Sequence, residues 1–81
     1  MATTRLICLS SEAAANVVAE HAPYGGPSNT ATQNGNVVVI NFFDPRWPMD
    51  IADYAFEQGL ANDEDAARVI AAASDAVDAS R

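Results

Sequence analysis

The chain contains no lysine. Four arginines face eleven carboxylates, and the formal charge is −7. Nucleic acids are held by basic surfaces, so direct binding to DNA or RNA is not expected. Such a balance suits a basic partner, or solubility alone. A single cysteine, Cys8, excludes an internal disulfide and fits a reducing cytosol. No apolar run is long enough to span a membrane. The opening MATTRLICLS has one arginine, a very short apolar run and no room for a cleavage site, so no secretory leader is expected. No internal repeat or low-complexity tract is visible.

What is present is one domain's worth of chain: 81 residues, near the lower limit for a fold without staples. The apolar fraction of 49% overstates the core, because seventeen of those forty residues are alanine. The remaining larger side chains suffice for one layer of helices on a small sheet, with modest stability.

Arg5 to Leu9 is a short, nearly continuous apolar run and predicts a strand covered on both faces. Ser10 and Ser11 supply an N-cap, and Glu12 sits in the first turn, where the helix dipole favours it. A helix is predicted from Ser11 to Ala22, burying Ala14, Val17, Val18 and His21, and Pro23 ends it. Pro23 to Asn29 is a loop, with two prolines and two glycines. Asn34-Gly35 then predicts a type I′ hairpin turn. Its second arm, NVVVINFF, is apolar on both faces and predicts the central strand. Phe43 to Pro48 breaks that strand. Pro48 suits the first turn of a helix reaching Gln58, with Gly59 as its C′ residue. Asn62 or Asp63 caps a last helix to Ala79, whose apolar stripe is Ala66, Val69, Ile70, Ala73 and Val77. Arg68 is placed to pair with Glu64 four residues before it.

The order β-α-β-β-α-α predicts a small single α+β domain with a three-stranded, mainly antiparallel sheet packed with helices. A right-handed crossover leaves a slot for the third strand between the first two, giving sheet order 1-3-2.

Catalysis would need a nucleophile, a base or a metal cage. Cys8 and His21 are the only thiol and imidazole, but Cys8 falls in an apolar strand, where free cysteine is an inert hydrophobe. Asp63-Glu64-Asp65 lacks the calcium-loop pattern and reads as helix capping. Gly25-Gly26 has no phosphate-loop continuation, and zinc spacing is absent. No enzyme, cofactor or metal is expected.

Nine of the eleven carboxylates lie after residue 43, against three arginines. Asp50, Asp53 and Glu57, at i, i+3 and i+7, fall within about 60° of one another on a helix. Met49, Ile51, Ala52, Ala55 and Phe56 lie opposite. The row reads either as a solvated helix face or as a binding surface; soluble faces ordinarily mix both signs, and the missing lysines bring the second reading level with the first. Carboxylates one turn apart stand about 5 Å from each other, close to phosphate spacing. Glu64, Asp65 and Asp75 are secondary candidates. Arg46-Trp47, held between two prolines, has the composition of an interface anchor, but the indole of Trp47 is better placed folded back over the alanine-rich interior, with Arg46 exposed in either case.

As a whole, through MATTRLICLSSEAAANVV, NGNVVVINFFDPRWP and DEDAARVIAAASDAV, the chain resembles phage anti-CRISPR proteins, most closely those acting on the type I-C effector complex. The resemblance has no short diagnostic motif, so it transfers no residue roles. It implies a stoichiometric, non-catalytic inhibitor in the host cytoplasm, acting as a monomer. Such an inhibitor binds the crRNA-guided Cascade complex and stops it engaging target DNA. Channels that hold guide–target duplexes are lined with Lys and Arg, which an acidic face would suit. The alternative is a small acidic regulatory or antitoxin-like module that binds through an apolar helical surface.

Overall fold

β-Branched residues fill Val37 to Ile40, and this segment takes the centre of a three-stranded sheet. The computed structural model describes residues 1–79. Its elements are β1 (Ala2–Ile7), α1 (Ser11–His21), β2 (Thr30–Asn34), β3 (Val37–Phe42), α2 (Arg46–Glu57) and α3 (Asp63–Ala79), with a 3-10 turn over Ala22–Tyr24. The sheet order is β1-β3-β2 and both pairings are antiparallel. This is the α+β architecture and strand order that the sequence predicts.

The register explains the core. Leu6 lies opposite Val38, and Ile40 lies between Thr4 and Ala31. Leu6, Ala31, Val38 and Ile40 are buried, whereas their odd-numbered or even-numbered neighbours along each strand are partly or fully exposed. Side chains alternate across a strand, so the helices cover only one face of the sheet. The expectation that β1 is covered on both faces is corrected here. Three helices make one layer, and 81 residues leave no element for a second. Eight of the fifteen buried apolar residues are alanine, so the helical layer lies close to a few large residues, including Val17, Ile51 and Val69.

Local chemistry sets the element ends. β1 begins earlier than predicted because Ala2 to Thr4 find partners in Ile40 to Phe42. It ends earlier too: Cys8 pairs with Ala61 in an isolated bridge, and the Leu9 N–H donates to the Leu60 carbonyl at 2.9 Å. Ser10 is the N-cap of α1, its hydroxyl accepting from the Ala13 N–H at 3.0 Å. In the hairpin, Asn34 pairs with Val37, so the two loop residues are Gly35 and Asn36. Only Gly35 has positive φ, at 63°. That is the type II′ sign pattern, with glycine at the first central position, and not type I′.

α2 starts two residues before the predicted Pro48. Asp44 makes this possible: its carboxylate accepts from the Arg46 N–H and its carbonyl from the Trp47 N–H, both at 3.0 Å. Gly59, with φ of 68°, ends α2 in a Schellman arrangement: its N–H donates to Phe56 and that of Leu60 to Ala55. Phe56, expected on the packed face, is 47% exposed, because the buried side of α2 centres on Pro48, Ile51, Ala52 and Ala55. Asn62 caps α3 through a 2.9 Å bond from the Glu64 N–H. Along α3, Ala66, Val69 and Ala73 are buried and Ile70 and Val77 are partly so.

Candidate acidic interface

The amphipathic pattern of α2 turns Ile51, Ala52 and Ala55 inward and leaves Asp50, Asp53 and Glu57 exposed. None of the three carboxylates makes an ion pair or side-chain hydrogen bond with another described residue. Arg46, four residues before Asp50, is exposed and also unpaired among the described residues. Like charges on successive turns of one helix repel. The row therefore persists as an unneutralised negative face, and a cation supplied from outside would relieve that repulsion.

On α3, Glu64 and Asp75 are exposed and carry no ion pair among the described residues. Asp65 behaves differently. One of its oxygens accepts from the Ile7 N–H at 2.7 Å and the other from the Arg68 Nε at 3.1 Å. Its side chain is only 16% exposed. Arg68 in turn donates to the Arg5 carbonyl at 2.6 Å. So Arg68 pairs with Asp65 and not with Glu64, because the N–H and carbonyl groups on the free edge of β1 draw both side chains toward the sheet. Asp65 is thereby bound into the fold and is a weaker candidate for a partner than Glu64 or Asp75.

Trp47 folds back. Its indole N–H donates to the Thr30 carbonyl at 3.1 Å, and its ring meets His21 edge-on with centroids 6.2 Å apart. It is half-buried against the core, which leaves Arg46 as the exposed member of that pair. His21 donates from Nδ1 to the Val17 carbonyl, 2.8 Å away, and its ring stands edge-on against Tyr54 at 4.9 Å.

Cys8 is buried; burial, and then the Asp65 carboxylate, push its thiol above the ordinary value. A thiol held protonated is a poor nucleophile. Among the described residues, no group of three or more His, Cys, Asp or Glu side chains is placed to hold a metal ion. No described helix is long and apolar enough to cross a membrane.

Two features escape a reading by element. Asn29, in the predicted loop, receives the Phe43 and Asp44 N–H groups on its side-chain oxygen at 3.1 and 3.3 Å and donates to the Gly25 carbonyl at 3.3 Å. It sets the entry to α2, and only its position in a Pro/Gly-rich segment hinted at a role. The second is a segregation of charge. All eleven carboxylates lie on the helices or the adjoining loops, and none lies in a strand. Arg81, one of the three arginines of the acidic half, lies outside the described residues. Comparison with known proteins finds no matching family model, no matching curated protein and no matching solved structure.

Proposed function

We propose that the chain is a non-catalytic inhibitor of a CRISPR effector complex of type I, in the I-C class, and that it acts by binding. The exposed row Asp50, Asp53 and Glu57 meets arginines and lysines of a Cascade subunit that would otherwise hold target DNA. Glu64 and Asp75 extend the negative surface, and Arg46 borders it. The observation that carries this reading is the absence of any intramolecular partner for the α2 carboxylates among the described residues. A row of fixed charge on a capped helix needs no reordering before it binds, which favours competition with a polyanion.

The test is a gel-shift of purified type I-C Cascade on target DNA, with and without the protein, at low and moderate salt. DNA binding should be lost at low salt and recover as salt screens the contact. The double variant D50K/D53K should fold normally, since both side chains are exposed, and should not inhibit. Full inhibition by that variant would sink charge competition as the mechanism. Undiminished DNA binding at low salt, with intact wild-type protein, would remove the DNA-blocking role.

A further inference from the structure

The corner where β1 runs out and α3 begins holds two open hollows. One, of about 490 Å³, lies beside Ile7, and the other, of about 480 Å³, lies beside Leu9. Asn62 and Glu64 border both, so the two adjoin as one shallow groove. Its apolar side chains are unusually open to solvent, Ile7 at 48% and Leu9 at 63% exposure. They flank the buried Cys8, and alternation along the extended chain turns the pair outward together. Backbone bonds hold the walls in place. The Cys8 N–H donates to the Asn36 carbonyl at 2.8 Å, the Leu9 N–H to the Leu60 carbonyl at 2.9 Å, and the Asn62 side chain caps Glu64. A groove fixed in this way needs no reordering before it is filled.

The charges around the groove select its occupant. Arg68 is the one cation that borders it, and Arg68 is already engaged by Asp65 and by the Arg5 carbonyl. Asp63 and Glu64 are exposed and have no ion pair among the described residues. The positive end of the α3 dipole, equivalent to about half a charge, offsets only part of these two. Apolar side chains beside an unneutralised acidic rim complement an apolar side chain next to an arginine or lysine, whose aliphatic stem packs on the same surface. The rim repels nucleic acid and acidic chains, a second copy at −7 included. Strand addition along β1 is closed as well, because the Ile7 N–H and the Arg5 carbonyl are already bonded. Recognition therefore falls to side chains. Hollows this open suit a stretch of polypeptide better than a small molecule, which binds where most of its surface is enclosed.

We infer that the groove between the end of β1 and the start of α3 docks a segment of a protein partner. That segment sets an apolar side chain against Ile7 and Leu9 and a neighbouring arginine or lysine against Asp63 and Glu64. The contact does not depend on what the α2 row binds. It differs from that row in having an apolar half, so salt should weaken it only in part. Screening removes the ionic contribution and leaves the apolar one.

The test is an amide NMR titration of the isotope-labelled protein with three short capped peptides. They alternate leucine with arginine, serine with arginine, and leucine with glutamate. The leucine–arginine peptide should move the signals of Ile7, Leu9 and Asn62 to Glu64. At the same amides the serine–arginine peptide should bind about tenfold more weakly, and the leucine–glutamate peptide should leave them unmoved. Leu9→Ser should weaken the leucine–arginine peptide by about tenfold, and the neutral pair D63N/E64Q by about fivefold or more. All three side chains are exposed, so far-UV circular dichroism should be unchanged, and either variant serves if the other fails to fold. Equal affinity for the leucine–arginine and serine–arginine peptides would reduce the groove to an acidic patch and overturn the inference. Equal affinity for the leucine–glutamate peptide would remove its ionic half, with the same result. Signals that move only along α2 would overturn it too, while leaving the acidic row as the sole contact.

Discussion

At the residue scale, the Asp65 carboxylate and the Arg68 guanidinium close the free edge of β1. They receive the Ile7 N–H and give to the Arg5 carbonyl, the two groups a further strand would use. Exposed strand edges are sites of unwanted pairing, and charged side chains are a common way of blocking them. A charge-assisted bond to a backbone N–H, held at 2.7 Å, is worth more than a surface ion pair. Asp65→Ala should therefore cost about 1–2 kcal/mol in urea unfolding. Glu64→Ala should stay within about 0.5 kcal/mol, since the exposed Glu64 carboxylate makes no such bond. Equal losses for the two would mean that Asp65 is not the partner that matters. Helical spacing allowed Arg68 either Glu64 or Asp65. The choice depended on a strand nearly sixty residues away, which no local pattern reveals.

At the element scale, the segment between α1 and β2 is held by close packing more than by turn propensity. Gly25 is buried at ordinary negative φ. A Cβ there would stand 1.9 Å from the Asn29 carbonyl oxygen and 2.9 Å from Trp47 Cζ2. Backbone cannot yield to that contact, so the Asn29 and Trp47 anchors would both be displaced. Gly25→Ala is expected to destabilise by more than about 2 kcal/mol and to shift Trp47 fluorescence toward the exposed form. Gly26→Ala differs: nothing lies within 4 Å, and the cost is the positive φ alone, about 1 kcal/mol. If the two alanines proved equivalent by fluorescence and by unfolding midpoint, close approach would not be what Gly25 supplies. Sequence placed both glycines in a loop, which was right. It gave no means of telling the packed one from the free one.

At the scale of the whole molecule, the fold sorts its surface into an acidic helical side and a sheet face without carboxylates. Only one ion pair, Asp65 with Arg68, is present among the described residues. Most of the negative charge is therefore uncompensated, and it opposes compaction. Adding salt at neutral pH should raise the thermal midpoint by a few degrees, as screening relieves that repulsion. A midpoint indifferent to salt would mean that the carboxylates stand too far apart to matter. Salt should weaken the acidic face against a basic partner while it steadies the fold, so binding and thermal midpoint move in opposite directions.

The amino-acid sequence by itself determined the element order, the placing of N-caps at Ser10 or Ser11 and at Asn62 or Asp63, the terminator Gly59 and the central place of Val37–Phe42. These follow from periodicity, capping chemistry and β-branching, which act over a few residues. It also determined that Asp50, Asp53 and Glu57 share one side of a helix, because 3.6 residues per turn requires it. Only tertiary structure decided that the sheet is covered on one face, that Trp47 turns inward to Thr30, that Phe56 stays exposed, and that Asp65 joins β1 while Glu64 does not. Each of these depends on which distant element arrives beside a residue. An apolar strand has the same sequence whether its second face meets a helix, a partner or water, so the open face became visible only once the chain had folded.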